Sequence, residues 1–234
     1  MTFESLRSGY QALVFGASGG IGRALCEALA ADTRCAGVCA VSRQSDPRFD
    51  LENPQGCSEI IGEILAQGPF DLVLDATGWL HDDAFKPEKR LAAVQPEAIE
   101  KAMRINAIGP FMLLQALVPH LPKDRRVIYA KWSARVGSIE DNRKGGWYSY
   151  RASKASLNQL LQTAAIDLAR SHPMCAVVAV QPGTVASELS KPFVAPTGAF
   201  SAADSVARVI AVLDAAQPTG RAQFLDHAGQ PIPW

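Results

Sequence analysis

The chain has 234 residues, 48% of them hydrophobic and 20% charged, and its 23 basic and 23 acidic side chains cancel to a formal net charge of zero. Lys and Arg are neither in excess nor clustered, so the electrostatic footprint that nucleic acid or an anionic membrane surface requires is missing. At roughly 150 residues per domain the length suits a single α/β domain over residues 1–234. No stretch reaches the run of about 18 apolar residues that would span a membrane, and the first residues, with Glu4 and Arg7, lack the apolar core of a signal peptide, so a cytoplasmic protein is expected.

The first apolar run, Tyr10 to Phe15, is bounded by glycine and reads as a buried parallel strand. A helix follows over Gly20 to Ala31, where Ile21, Leu25, Ala28 and Leu29 recur at three- and four-residue steps. Further strands are predicted at Cys35 to Val41, Arg48 to Leu51, Phe70 to Ala76, Arg126 to Trp132, Cys175 to Val180 and Gln223 to Leu225. Helices are predicted at Ser58 to Ala66, Glu97 to Leu121, Tyr148 to Ser171 and Ala202 to Ala215, with Pro110 and Pro119 as kinks in the second. This alternation argues for a doubly wound parallel sheet, a Rossmann-type α/β fold with helices on both faces. Repeats, low-complexity tracts and a linker are absent from the sequence.

The segment Gly16-Ala17-Ser18-Gly19-Gly20-Ile21-Gly22 lies directly between the first strand and the first helix. Such a turn needs glycine at Gly16 for its tightness, at Gly20 for close backbone approach and at Gly22 for helix packing. The helix N-terminus behind it presents N–H donors and partial positive charge to a pyrophosphate. Further on, Tyr150 and Lys154 stand four apart in a helical stretch and so share a face. A phenol can carry the proton of a carbonyl–alcohol interconversion, and a neighbouring ammonium favours its ionised form. The five cysteines, Cys57 among them, and the four histidines show no metal-ligand spacing, so no metal is expected.

The GxxxGxG spacing, the Asp75-Ala76-Thr77-Gly78 segment after a strand, Asn106 in a helix, the YxxxK pair and Pro182-Gly183-Thr184 after a strand occur in an order that resembles the short-chain dehydrogenase/reductase family. Ser133-Ala-Arg-Val-Gly-Ser138, Gly145-Gly-Trp-Tyr-Ser-Tyr150 and Pro182-Gly-Thr-Val185 bring the resemblance to its C-factor-like branch of small carbonyl reductases. Asp75 stands where that family often has Asn. The resemblance implies Tyr150 as general acid/base, Lys154 as its tuner and ribose ligand, a serine bonded to the substrate oxygen, and Asn106 holding a water that leads from Lys154 to solvent. It also implies adenine contacts from Asp50 and Leu51, and backbone contacts to the nicotinamide carboxamide around Pro182, Gly183, Thr184 and Val185. Ser133, at the sheet's C-terminal edge, is preferred over Ser138 as that serine.

The second strand ends Ala40-Val41-Ser42-Arg43, without the carboxylate that would bond the ribose hydroxyls of NAD. Arg43 offers a fork for phosphate oxygens, so NADP(H) is favoured and NAD(H) stays open. Trp79, Trp132, Trp147 and Phe193 are candidates to line an apolar substrate cleft, and Val185 to Phe200 is a natural lid. Gln159, Gln162, Ile166 and Ala169 make a helix face suited to a partner, and a homodimer or homotetramer is expected. The leading reading is an NADP(H)-dependent carbonyl reductase or alcohol dehydrogenase acting on a small molecule. The alternative is a nucleotide-binding signalling or regulatory protein with little turnover, and a dehydratase or epimerase is disfavoured.

Overall fold

A computed structural model describes residues 2–45, 49–52, 61–193 and 198–234. Six parallel strands form one sheet in the order β2-β1-β3-β4-β5-β6: β1 (Tyr10–Phe15), β2 (Cys35–Val41), β3 (Leu72–Asp75), β4 (Val127–Trp132), β5 (Cys175–Gln181) and β6 (Gln223–Asp226). The reversal of strand order between β1 and β3 creates the crevice at the strands' C-terminal ends where ligands bind in such folds. The interior strands β1, β3, β4 and β5 are almost wholly buried, as continuous apolar runs covered on both faces must be.

Side chains alternate between two cores. Leu13, Phe15, Val73, Tyr129, Val177 and Ala179 face the core beneath α3 (Gly109–Leu117) and α4 (Tyr148–Ser171). Ala12, Val14, Leu72, Leu74, Ile128, Ala130 and Val178 face the core beneath α1 (Gly20–Ala30) and α5 (Ala202–Ala215). Asp75 and Lys131 fall on the first of these faces by the same alternation.

The predicted strand at Arg48 to Leu51 is corrected. Arg48 lies outside the described residues, and 49–51 are not strand. Phe49 and Leu51 are buried instead as plugs, Phe49 with its ring 5.2 Å from that of Phe15. Of the predicted helix Ser58 to Ala66, residues 58–60 lie outside the described set and 61–65 are helical. The long helix predicted from Glu97 is broken into α2 (Pro96–Met103), a π-helical turn over Arg104–Ile108, α3, and a 3₁₀ turn over Val118–His120. The N–H of Gly109 reaches back to the carbonyl of Arg104, and Pro110 has no N–H to give the carbonyl of Asn106, so the regular ladder fails at this point.

Candidate active site

The glycine-rich turn closes around its own backbone. Gly16 has φ +77°, and a Cβ there would stand 3.0 Å from the backbone of Ala76 and Thr77. At Gly22 a Cβ would meet the carbonyl oxygen of Gly16 at 2.1 Å. These two glycines are required by the fold: one lets β1 turn against the loop after β3, and the other seats α1 on the turn. Gly20 has only an ordinary contact, 3.7 Å to Ser187, from such a Cβ. The start of α1 carries no side-chain cap and no acidic residue in its first turn. That is the donor set a pyrophosphate takes, and Ser18 and Ile21 lie within it, half-buried.

Opposite, α4 carries Tyr150 and Lys154. The Lys154 ammonium, 2% exposed, donates to the carbonyl of Trp132 at 2.9 Å and lies 5.6 Å from the centroid of the Tyr150 ring. The Ala76-Thr77-Gly78 loop runs between the glycine turn and this lysine: a Cβ on Gly78 would lie 3.8 Å from Lys154 Nζ and 3.6 Å from Asn106 Oδ1. Asn106 is fully buried in the π-helical turn. Its Oδ1 accepts from the Trp79 N–H at 2.7 Å, and its Nδ2 donates to the Trp79 carbonyl at 2.8 Å and to Ser153 Oγ at 3.0 Å. The amide thus clamps the loop after Gly78 to α4, and its hydrogen bonds go to protein groups.

Beneath the loop lies a second buried cation that the sequence reading missed. Lys131 Nζ donates to Asp75 Oδ1 at 2.9 Å, to the Thr77 carbonyl at 2.6 Å and to Thr77 Oγ1 at 2.8 Å, which satisfies all three of its protons. Thr77 in turn donates to Asp75 Oδ1 from its N–H at 2.9 Å and from its hydroxyl at 2.5 Å. Asp75 therefore supports the central loop as half of an ion pair. The signal was a lysine in the apolar run Val127-Ile-Tyr-Ala-Lys-Trp132. Burial holds the Lys154 ammonium well below the lysine range, the charge of Lys131 adds to this and Asp75 opposes it. Burial also pushes the Tyr150 phenol up to about 12. The expected lowering of that phenol by Lys154 is not the governing effect in the protein alone; desolvation is.

The remaining candidates are spread along the same edge. Ser133, 5% exposed, donates its hydroxyl to Asn158 Oδ1 at 2.7 Å, toward α4. Ser138 Oγ accepts from the Asp141 N–H at 3.0 Å and lies 3.4 Å from the Trp234 carbonyl. Ser42 is buried in a tight turn whose Oγ accepts from the Gln44 N–H at 3.0 Å, and Arg43 projects from that turn as an exposed side chain. Asp50 caps the N–H of Glu52, and Leu51 is buried against Gly109. Gly183, at φ +82°, lies against the ring of Phe200, the Pro182 carbonyl accepts from Ser205 Oγ at 2.7 Å, and Thr184 is exposed beside buried Val185. The segment leaving at Val185 returns at Phe200, where the two form a bridge; residues 194–197 of this expected lid lie outside the described set.

The four aromatic candidates separate. Trp132 is buried in the core under α1 and α5, and Trp79 donates Nε1–H to Asp82 at 3.2 Å beneath the Lys101 ammonium. Trp147 stands beside Tyr150, and Phe193 stands beside Trp147.

Residues 47–197 match the family model of the short chain dehydrogenases. The chain belongs to that family. Among its relatives, C-signal of Myxococcus xanthus is 29% identical over 171 residues, which cover 71% of this chain and 94% of that one. A 1-hydroxy-2-glutathionyl-2-methyl-3-butene dehydrogenase of Rhodococcus sp. is 26% identical over 207 residues, covering 87% and 84%. A short-chain dehydrogenase/reductase of Burkholderia multivorans solved with bound NADP superposes with a TM-score of 0.81 at 26% identity, over 96% of this chain and 99% of that one. A carbonyl reductase of Pseudomonas aeruginosa gives 0.78 at 26% identity over 96% and 100%. Among the described residues, no helix is long and apolar enough to cross a membrane.

Proposed function

We propose that this oxidoreductase is an NADP(H)-dependent carbonyl reductase, working as one domain in the cytoplasm, with Tyr150 as the group that gives the substrate oxygen its proton. The observation that carries the reading is the convergence of Tyr150, buried Lys154 and the Gly78 edge opposite a glycine turn built to hold an anion. The nicotinamide, when bound, supplies or accepts the hydride. The NADP-bound relative from Burkholderia multivorans supports the choice of cofactor.

The chain's residues divide the remaining work. The turn from Gly16 to Gly22, with Ser18, Gly20 and Ile21, would hold the pyrophosphate, and Ser42 and Arg43 the 2′-phosphate. Asp50 and Leu51 border the adenine side, Ala76, Thr77 and Gly78 the middle of the cleft, and Pro182 to Val185 its far end. Lys154 would bond the ribose and, through its charge, oppose the burial that keeps Tyr150 protonated. Burial that pushes the phenol up to about 12 keeps it protonated at neutral pH but opposes the phenolate that donation leaves behind, so the transfer would rest on Lys154 favouring that phenolate. Ser133 would serve the substrate oxygen by turning its hydroxyl away from Asn158, and Asn106 would hold the loop against Lys154.

Purified protein titrated with NADPH and NADH, then assayed with a carbonyl panel, tests this reading. Preferential binding of NADPH and turnover lowered by at least about a hundredfold in Tyr150→Phe are the expected results; equal turnover in that variant overturns it. The likeness to C-signal favours a second reading, a nucleotide-binding signalling protein, for which the same panel would give binding without turnover. A homo-oligomer is supported by the groove between α3 and α4, lined by Phe111, Leu114, Val118, Ala164 and Ile166, with Met112 and Ile108 exposed on the same helical run. The partner face read from α4 is thereby revised. Gln162 accepts from the Ala222 N–H at 3.0 Å and Ala169 meets Gly220, so both face the approach to β6, while Ile166 faces the groove.

A further inference from the structure

Trp147 is the one non-glycine residue among those described with a positive φ, +54°, and it follows Gly145 and Gly146 at +62° and +65°. A bulky residue pays for this conformation in strain, and such strain persists only where the surroundings impose it. Glu88 imposes it. Its carbonyl accepts the Trp147 N–H at 2.5 Å, and its buried carboxylate accepts from the Ser149 N–H at 3.3 Å and from the Ser149 hydroxyl. The residues on either side of the turn into α4 are thus fixed by one acidic residue from another loop.

The indole so held lies 6.1 Å, edge to face, from the Tyr150 ring. The Phe193 ring lies 5.3 Å from the same indole, also edge to face, and His81 meets Phe193 at 5.2 Å. All four residues are half-buried, so part of each stays open to a further molecule. The His81 ring is oriented by its Nε2–H, which donates to the Leu189 carbonyl at 3.1 Å. Edge-to-face packing between neighbours leaves flat apolar faces for a further ring, the preferred partner of such a wall.

We infer that these rings form a substrate slot for a flat aromatic carbonyl compound, with Trp147 as the specificity-determining wall. This rests on the carbonyl reductase reading above and names its substrate class. An aromatic ring lying against the indole would sit beside the Tyr150 ring, whose centroid is 6.1 Å from that of the indole, so a carbonyl attached to it is within the neighbourhood of the proposed proton donor. Saturated rings of the same carbon count lack the flat face and gain less from the wall.

The test compares benzaldehyde with cyclohexanecarbaldehyde as substrates of the intact protein with NADPH. The intact protein is expected to show a KM about tenfold lower for benzaldehyde, the factor that aromatic pairing supports. Trp147→Gly removes the indole at a φ that glycine prefers, so the fold should hold, and the ratio of kcat/KM values for the two aldehydes should fall by about tenfold relative to the intact protein. Trp147→Phe should restore most of that ratio, and a variant melting curve checks folding. An unchanged ratio in Trp147→Gly, or no discrimination by the intact protein while both aldehydes are consumed, overturns the slot and leaves the reductase reading standing. Consumption of neither aldehyde, in protein that binds NADPH, overturns the reductase reading and the slot with it.

Discussion

Lys131 and Asp75 are Cα partners across β3 and β4, and their side chains form an ion pair of 2.9 Å with both groups fully buried. Because a buried ion pair is costly to desolvate, its value lies in what it fixes. Here it holds both peptide groups of Thr77, and so the loop that separates the glycine turn from Lys154. Removing one partner leaves the other as an uncompensated buried charge. Lys131→Met should destabilise the fold by about 3–5 kcal/mol, and Asp75→Asn combined with Lys131→Met by less. Urea unfolding of the single and double variants measures both; equal losses would refute the pairing as the cause.

Tyr150→Phe removes the proposed proton donor and keeps the ring against Trp147 and Lys154. Turnover should fall by about 10²–10⁴-fold, the usual contribution of general acid catalysis, while NADPH affinity changes little. A loss of affinity as large as the loss of rate would assign the hydroxyl to binding.

The pH dependence of the same phenol has a fixed sign. Burial raises its folded value to about 12 from an ordinary value of 10.0, so the folded state disfavours the phenolate. The stability this contributes is complete below pH 10 and is lost as pH rises from about 10 toward 12. Spectroscopic titration of the nucleotide-free protein, taken as the difference between the parent and Tyr150→Phe, should show one phenol ionising near 12. Ionisation near 10 would mean that Lys154, and not desolvation, governs the site.

Arg43 projects from the turn after β2, whose described residues 42–45 carry no carboxylate. Arg43→Ala should weaken NADPH binding by about 1.5–3 kcal/mol, the usual worth of a hydrogen bond to a charged group, and leave NADH unaffected. Parallel calorimetric titrations check this, and equal losses for both nucleotides would remove Arg43 from the phosphate site.

Asn106→Ala deletes three hydrogen bonds and strands the N–H and carbonyl of Trp79. A loss of about 1–3 kcal/mol per buried group left unpaired is expected, with looser nucleotide binding as the Gly78 loop is freed. Retention of full stability would show that water replaces the amide at no cost.

The order of strands and helices, the glycine turn and the pairing of Tyr150 with Lys154 were legible in the sequence because each depends on residues close along the chain. A period of two or of 3.6, a glycine at a strand-to-helix turn, and two side chains one helical turn apart are local properties. The short strand near Phe49 was misread because alternating Phe49 and Leu51 satisfy a strand's pattern equally well when they plug a core. The unbroken helix from Glu97 was misread because its apolar period continues through Pro110 while the hydrogen-bond ladder does not. Only the tertiary structure decided that Lys131 meets Asp75, 56 residues earlier, that Glu88 holds Trp147 left-handed, and that Trp132 goes to the core while Trp147 stands beside the Tyr150 ring. Those outcomes follow from strand register and loop docking, where the partner is set by which segments become neighbours in space and a side chain's burial is fixed by what lands on top of it.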